Sequence, residues 1–232
     1  DQLSTKAAEI VAAEVKKNRR AVLGLATGST PEGMYAVLSA YYRDHKIDFS
    51  EVTTFNLDEY SGLSREHPQS YCYYMHRHFF DHINIDPRRI HLPESSPEDI
   101  EHSCREYEQK IAEAGGIDLQ VLGIGVNGHI GFNEPAGFLV ARTHLVELAE
   151  ETIEANSRFF NSREEVPRRA VTMGMGSIMH AAGILLLASG KSKARAIQKT
   201  VSGKITTAVP ASLLQLHRRC TIISDREAAS LL

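Results

Sequence analysis

Asn127, His129 and Glu134 lie within eight residues of one another in a glycine-studded stretch at 117–135, IDLQVLGIGVNGHIGFNEP. An imidazole titrates near neutrality and can take or give a proton, and a nearby carboxylate can hold its tautomer and tune its basicity. A second acidic group, Asp58-Glu59, closes the run FNLDEY at 55–60. Neighbouring residues of an extended chain point to opposite sides, so one of these carboxylates can face a cleft while the other turns away; Asp58 is the favoured cleft residue. A third turn, LATGSTP at 25–31, places Gly28, Ser29 and Thr30 ahead of a helical pattern. A helix start offers unpaired N–H groups and a positive dipole end to an anion, although this turn lacks the GK[ST] ending of a Walker loop. A fourth turn, SGKSK at 189–193, adds Lys191 and Lys193. Each turn alone is ordinary: a solvated Asp-Glu, a capped helix start, a surface histidine. Together they would supply proton transfer on a bound anion.

Each of these turns follows an apolar run of strand length. Such runs occur at 21–26, 52–57, 90–93, 119–124, 170–175, 183–188 and 220–224, with a short apolar alternation within 141–150. Helical patterns fall at 3–18, with Ser4 or Thr5 as cap, and from Pro31 to Tyr42 after a Thr30 cap. Further helices are expected at 68–80, 96–114, 151–160, 177–182, 192–201 and 210–216. Strand and helix alternating along the chain predict a predominantly parallel sheet wrapped by helices, in which the chemistry-bearing turns gather at the C-terminal edge. Residues 1–232 then form a single α/β catalytic domain. The polar run 161–169 lacks apolar periodicity and, with the preceding helix, makes a candidate lid at about 148–169.

Composition narrows the function. With net charge −3 and mixed signs throughout, no basic stripe for nucleic acid is present. The apolar runs fall far short of the roughly 20 residues that span a bilayer, so no membrane partner and a cytoplasmic location are expected. Cys72, Cys104 and Cys220 are too widely spaced for a disulfide framework or a structural zinc site, and His76, His78 and His82 lack metal-ligand spacing; no metal is expected. The chain begins at Asp1 in a helical pattern, which leaves room for a preceding strand.

LATGSTP, FNLDEYSGL, SYCYYMHRHFFDHI, LGIGVNGHIGFNEP, ANSRFF and SGKSKA, in that order across nearly the whole chain, resemble the glucosamine-6-phosphate deaminase (glucosamine-6-phosphate isomerase) family. The resemblance implies a three-layer modified Rossmann-like α/β fold. It also implies a hydrolase of amino sugar catabolism that converts D-glucosamine 6-phosphate and water into D-fructose 6-phosphate and ammonia, without metal or organic cofactor. In the roles it implies, His129 opens the pyranose, Asp58 carries a proton from C2 to C1, and Glu134 pairs with the histidine. Asn127 stands where many members have aspartate. Gly28, Ser29, Thr30, Arg158 and Lys193, with Lys191 as competitor for the lysine role, would hold the phosphate. His144 and Val146 stand where hexameric members carry the cations that bind an activating N-acetylglucosamine 6-phosphate, so a monomer or weak homo-oligomer without that activation is expected. The alternatives are a 6-phosphogluconolactonase-like hydrolase, whose histidine turn reads differently from HIGFNEP, and a non-catalytic sugar-phosphate-sensing module of the same fold.

Overall fold

A computed structural model describes residues 1–95, 98–157, 160 and 162–232, leaving aside the side chains of residues 151 and 155. The first helix, α1 (Gln2–Lys17), buries Leu3, Ala7, Ala8, Val11, Ala12 and Val15 along one face, as helical spacing requires. Its cap is Asp1, whose carboxylate accepts from the Ser4 N–H at 2.7 Å, rather than Ser4 or Thr5 themselves. β1 (Val22–Leu25) is buried throughout and leads through Gly28 into α2 (Ser29–Arg43). Gly28 caps α2 with a φ of 103°, a backbone that glycine adopts without the Cβ penalty, so Thr30 lies inside the helix.

After β2 (Thr53–Asn56) come β3 (Asp58–Tyr60), α3 (Tyr71–His78), β4 (Ile90–His91) and α4 (Ile100–Glu113). The cap of α4 is Asp99, which starts the helix later than its proline suggested; Ser96 and Pro97 lie outside the described residues. β5 (Leu119–Leu122), β6 (His144–Glu147), α5 (Glu150–Ser157), β7 (Arg169–Thr172), α6 (Met175–Met179), β8 (Ile184–Ala188), α7 (Ala194–Val201) and β9 (Cys220–Ser224) complete the order. The stretch Pro210–Leu216, expected as a helix, is a 3-10 segment.

Six strands form a parallel sheet in the order β4-β2-β1-β5-β8-β9. The chain builds outward from β1 to β4, then returns to the other side of β1 to lay down β5, β8 and β9. The order therefore reverses between β1 and β5, where a parallel sheet opens a crevice at the C-terminal ends of its strands. One core packs α1, α2 and α3 onto one face through Val11, Tyr35, Leu38 and Met75. The other face carries Phe55, Tyr107, Leu122, Ile178, Leu186 and Ile197. This is the three-layer arrangement that the strand-helix alternation predicts.

One expectation needs correction. The apolar run at 170–175 is not a strand of the parallel sheet: its strand ends at Thr172, and it forms the centre of a separate antiparallel sheet, β3-β7-β6. The physical reason lies in β3. The chain leaves β2 at Leu57 and continues extended, so Asp58, Glu59 and Tyr60 pair with Thr172, Val171 and Ala170, and the Leu57 carbonyl accepts from Met173 N–H at 2.7 Å. No helix among the described residues is long and apolar enough to cross a membrane.

Candidate active site

The loop after β5 folds back on itself. His129 donates its backbone N–H to the Asn127 side-chain oxygen at 3.1 Å, and Gly125 N–H donates to the His129 carbonyl at 2.9 Å. This hairpin-like turn lays the imidazole flat over Gly125. A Cβ at that position would come within 2.3 Å of His129 Nε2, so only glycine admits the ring. On its other side, Nδ1 lies 3.0 Å from Glu134 Oε2. The same carboxylate oxygen accepts from Asn127 Nδ2 at 2.8 Å, and Oε1 accepts from the Thr152 hydroxyl at 2.6 Å. These donors and the histidine outweigh desolvation and hold the Glu134 carboxyl down at about 2. An ionised Glu134 favours the tautomer with its proton on Nδ1, which leaves Nε2 as an acceptor.

Asn127 thus acts through Glu134 and the loop backbone. Its amide reaches the carboxylate that holds the ring, not the ring itself.

The adjacent acids Asp58 and Glu59 are separated by strand alternation. Glu59 turns inward and accepts from the backbone N–H groups of Tyr60 at 2.8 Å, Tyr71 at 2.9 Å and Cys72 at 2.9 Å, which ties the start of α3 to β3. Asp58 is buried, yet no such donor reaches it among the described residues. Burial first, and the Glu59 charge second, push its carboxyl up to about 8. Asp58 Oδ2 lies 3.4 Å from the point where a Cβ on Gly131 would stand, two residues beyond His129. The bridge between the segments is Thr172, the β7 partner of Asp58, whose hydroxyl oxygen accepts from Phe132 N–H at 3.1 Å. Asn133 adds two bonds of 2.9 Å, to the Ile130 and Met173 carbonyls.

Gly28, Ser29 and Thr30 open α2 at the end of β1, and Lys191 and Lys193 form the 3-10 turn that follows β8. In the sheet, β5 with the His129 loop lies between them. Strands spaced about 4.8 Å apart set the two turns roughly 10 Å from each other across the rim, the reach of a sugar phosphate. Arg158 lies outside the described residues.

Described residues of the segment expected as a lid contact this set. Thr152 on α5 holds Glu134, and Asn156 Nδ2 donates to the Tyr60 hydroxyl at 2.8 Å. Leu148, Ile153 and Val166 pack with Tyr60 and Phe132. Val166 belongs to the run 161–169 that shows no apolar periodicity, so even this polar stretch contributes one buried apolar side chain. Nothing in the sequence singles out Thr152 or Thr172. No pattern marks one threonine as facing a carboxylate 18 residues away, or another as bonding a backbone N–H 40 residues away.

The comparisons with known proteins agree with this fold. The family model described as glucosamine-6-phosphate isomerases/6-phosphogluconolactonase matches residues 1–223. A glucosamine-6-phosphate deaminase of Thermoanaerobacter sp. (strain X514) is 60% identical over 232 residues, covering 100% of this chain and 92% of the relative. Another of the same name, from Halothermothrix orenii, is 60% identical over 231 residues, 100% of this chain and 96% of the relative. A solved structure described as a monomeric glucosamine-6-phosphate deaminase superposes with a TM-score of 0.96 at 50% identity, covering 99% of this chain and 95% of that one. A 6-phosphogluconolactonase from Thermotoga maritima, 19% identical with a TM-score of 0.75 over 97% of this chain and 95% of that one, shares the fold. The chain belongs to the glucosamine-6-phosphate isomerase/6-phosphogluconolactonase family.

Proposed function

We propose that this chain is a glucosamine-6-phosphate deaminase, converting D-glucosamine 6-phosphate and water into D-fructose 6-phosphate and ammonia. The observation that carries the reading is the meeting of an imidazole backed by an ionised carboxylate, His129 with Glu134, and a buried, donor-poor Asp58 on one turn. Its relatives by name and sequence support the same activity.

His129 Nε2 takes the proton from the sugar O1 hydroxyl and returns it to the ring O5, which opens the pyranose. Asp58, ionised, removes the proton from C2 of the open-chain amino aldehyde to give an enolamine and returns it at C1, which leaves an iminium at C2. Water then adds at C2 and ammonia leaves. The high value of the Asp58 carboxyl means that it is largely protonated near neutrality in the unliganded protein. The ammonium of the incoming amino sugar, placed beside it, favours the ionised base when it is needed. The phosphate is assigned to the Gly28-Ser29-Thr30 turn, Arg158 and Lys193, with N–H groups at a helix start, a fork-shaped guanidinium and a point charge as its donors. Residues 148–169 act as the lid, and the chain works as a monomer, as the similar solved chain is described.

The test is ammonia release from glucosamine 6-phosphate with no cofactor added. Ammonia and fructose 6-phosphate in equal amounts are expected. Acid release from 6-phosphogluconolactone with no ammonia would overturn the reading in favour of the lactonase branch. Binding of the sugar phosphate without turnover would replace it with a sensing role.

A further inference from the structure

The turn that carries Lys193 is held by a carboxylate from another strand. β8 ends at Ala188, and Ser189-Gly190 then redirects the chain into Lys191–Lys193 and α7. Gly190 has a φ of 88°, so the redirection is made at a single left-handed peptide. Asp225, the first residue past β9, places Oδ2 2.6 Å from Ser189 Oγ and 2.9 Å from Gly190 N, while Oδ1 accepts from Ala228 N at 2.7 Å. Its own N–H donates to the Ala188 carbonyl at 3.2 Å, so the contact runs in both directions between the adjoining strand ends. The Ser189 hydroxyl first, and the Ala228 and Gly190 backbone N–H groups after it, hold the Asp225 carboxyl below the usual carboxylate range. An acid near an anion site would ordinarily repel the ligand. Here both oxygens are directed to donors of the protein, so the charge is used to shape the turn.

We propose that Asp225 is a positioning residue for the substrate phosphate: it fixes the Ser189-Gly190 turn, and thereby the direction in which Lys193 is presented, without touching the ligand. The proposal rests on the assignment of Lys193 to the phosphate. Sequence reading passes over Asp225 because it lies 32 positions beyond Lys193 and follows an unremarkable apolar run.

The experiment compares D225A, S189A and K193A with the parent chain in steady-state turnover of glucosamine 6-phosphate, with inorganic phosphate as competitive inhibitor. D225A should raise both KM and the phosphate inhibition constant about tenfold, the equivalent of one charge-assisted hydrogen bond, with kcat within about twofold. S189A removes one of the three side-chain-mediated bonds and should move the same two constants about two- to threefold, which keeps the test available if D225A folds poorly. A merely structural Asp225 would lower the active fraction, and so the apparent kcat, leaving KM and the inhibition constant unchanged. A response in K193A with none in D225A or S189A would overturn the proposal alone. Unchanged constants in K193A would overturn the phosphate assignment and the proposal with it.

Discussion

Asp58→Asn should abolish turnover and, at the same time, make the protein more stable, by an amount that grows with pH. Asp58 is buried with no hydrogen-bond donor among the described residues, beside the acidic Glu59, so its folded-state carboxyl stands at about 8 against an ordinary value of 3.8. A carboxyl raised in the folded state binds its proton more tightly there than in the unfolded chain. Between those two values the folded state holds more protons, and stability falls as pH rises. At about 1.4 kcal/mol per unit, the full displacement would amount to roughly 6 kcal/mol. Relaxation of the surrounding protein reduces the effective cost even of a buried charge, so a gain of about 2–4 kcal/mol is expected for the neutral amide at pH 8. For a chain of this size that is a rise in melting temperature of at least about 4 °C. Thermal melts of both proteins from pH 4 to 9 supply the assay. The curves should nearly coincide at pH 4, separate steadily to pH 8, and run parallel above it, while the amide variant releases no ammonia at any pH. A gain independent of pH, or a loss of stability at pH 8, would refute the argument that Asp58 is held as a strained base.

Asn127→Asp replaces the donor 2.8 Å from Glu134 with a second acceptor, so the Glu134 carboxyl should climb from about 2 by roughly one to two units, and the acid limb of kcat/KM should move up with it; a superposable pH–rate curve would separate Asn127 from the histidine pair. Thr152→Val removes the 2.6 Å bond to the other Glu134 oxygen. Because Glu134 is depressed in the folded state, its stabilisation is present above the unfolded value of about 4.3 and is lost as pH falls through about 2, so the cost of Thr152→Val should be visible in denaturant melts at pH 7 and shrink towards pH 2. Gly125→Ala would drive a methyl to 2.3 Å from His129 Nε2, and a ring displaced by even 1 Å should lower kcat about a hundredfold with unchanged circular dichroism; normal turnover would show that the ring does not need its place over Gly125.

The parts of this site that can be read from the sequence are those whose contacts are local. Asn127, His129 and Glu134 meet because a glycine-rich turn brings positions two, five and seven apart onto one oxygen, and turn chemistry is written in composition. Alternation along an extended chain likewise suffices to separate Asp58 from Glu59. The apolar run at 170–175 marks the limit. Nothing in it distinguishes a strand of the parallel sheet from the centre of an antiparallel one, because both ask for the same buried apolar residues. The choice is made by tertiary pairing. Asp58 and Thr172 face each other across that pairing, and Thr172 in turn holds the Phe132 backbone. The second sheet is therefore the device that carries Asp58 to the histidine turn. In the parallel sheet β1 lies between β2 and β5, which would leave Asp58 about 10 Å from the His129 loop. By crossing out of that sheet at Leu57, the chain brings the Asp58 carboxylate against Gly131. A fold with only the six parallel strands would hold the same residues at its rim and lack the juxtaposition that the proposed proton transfer needs.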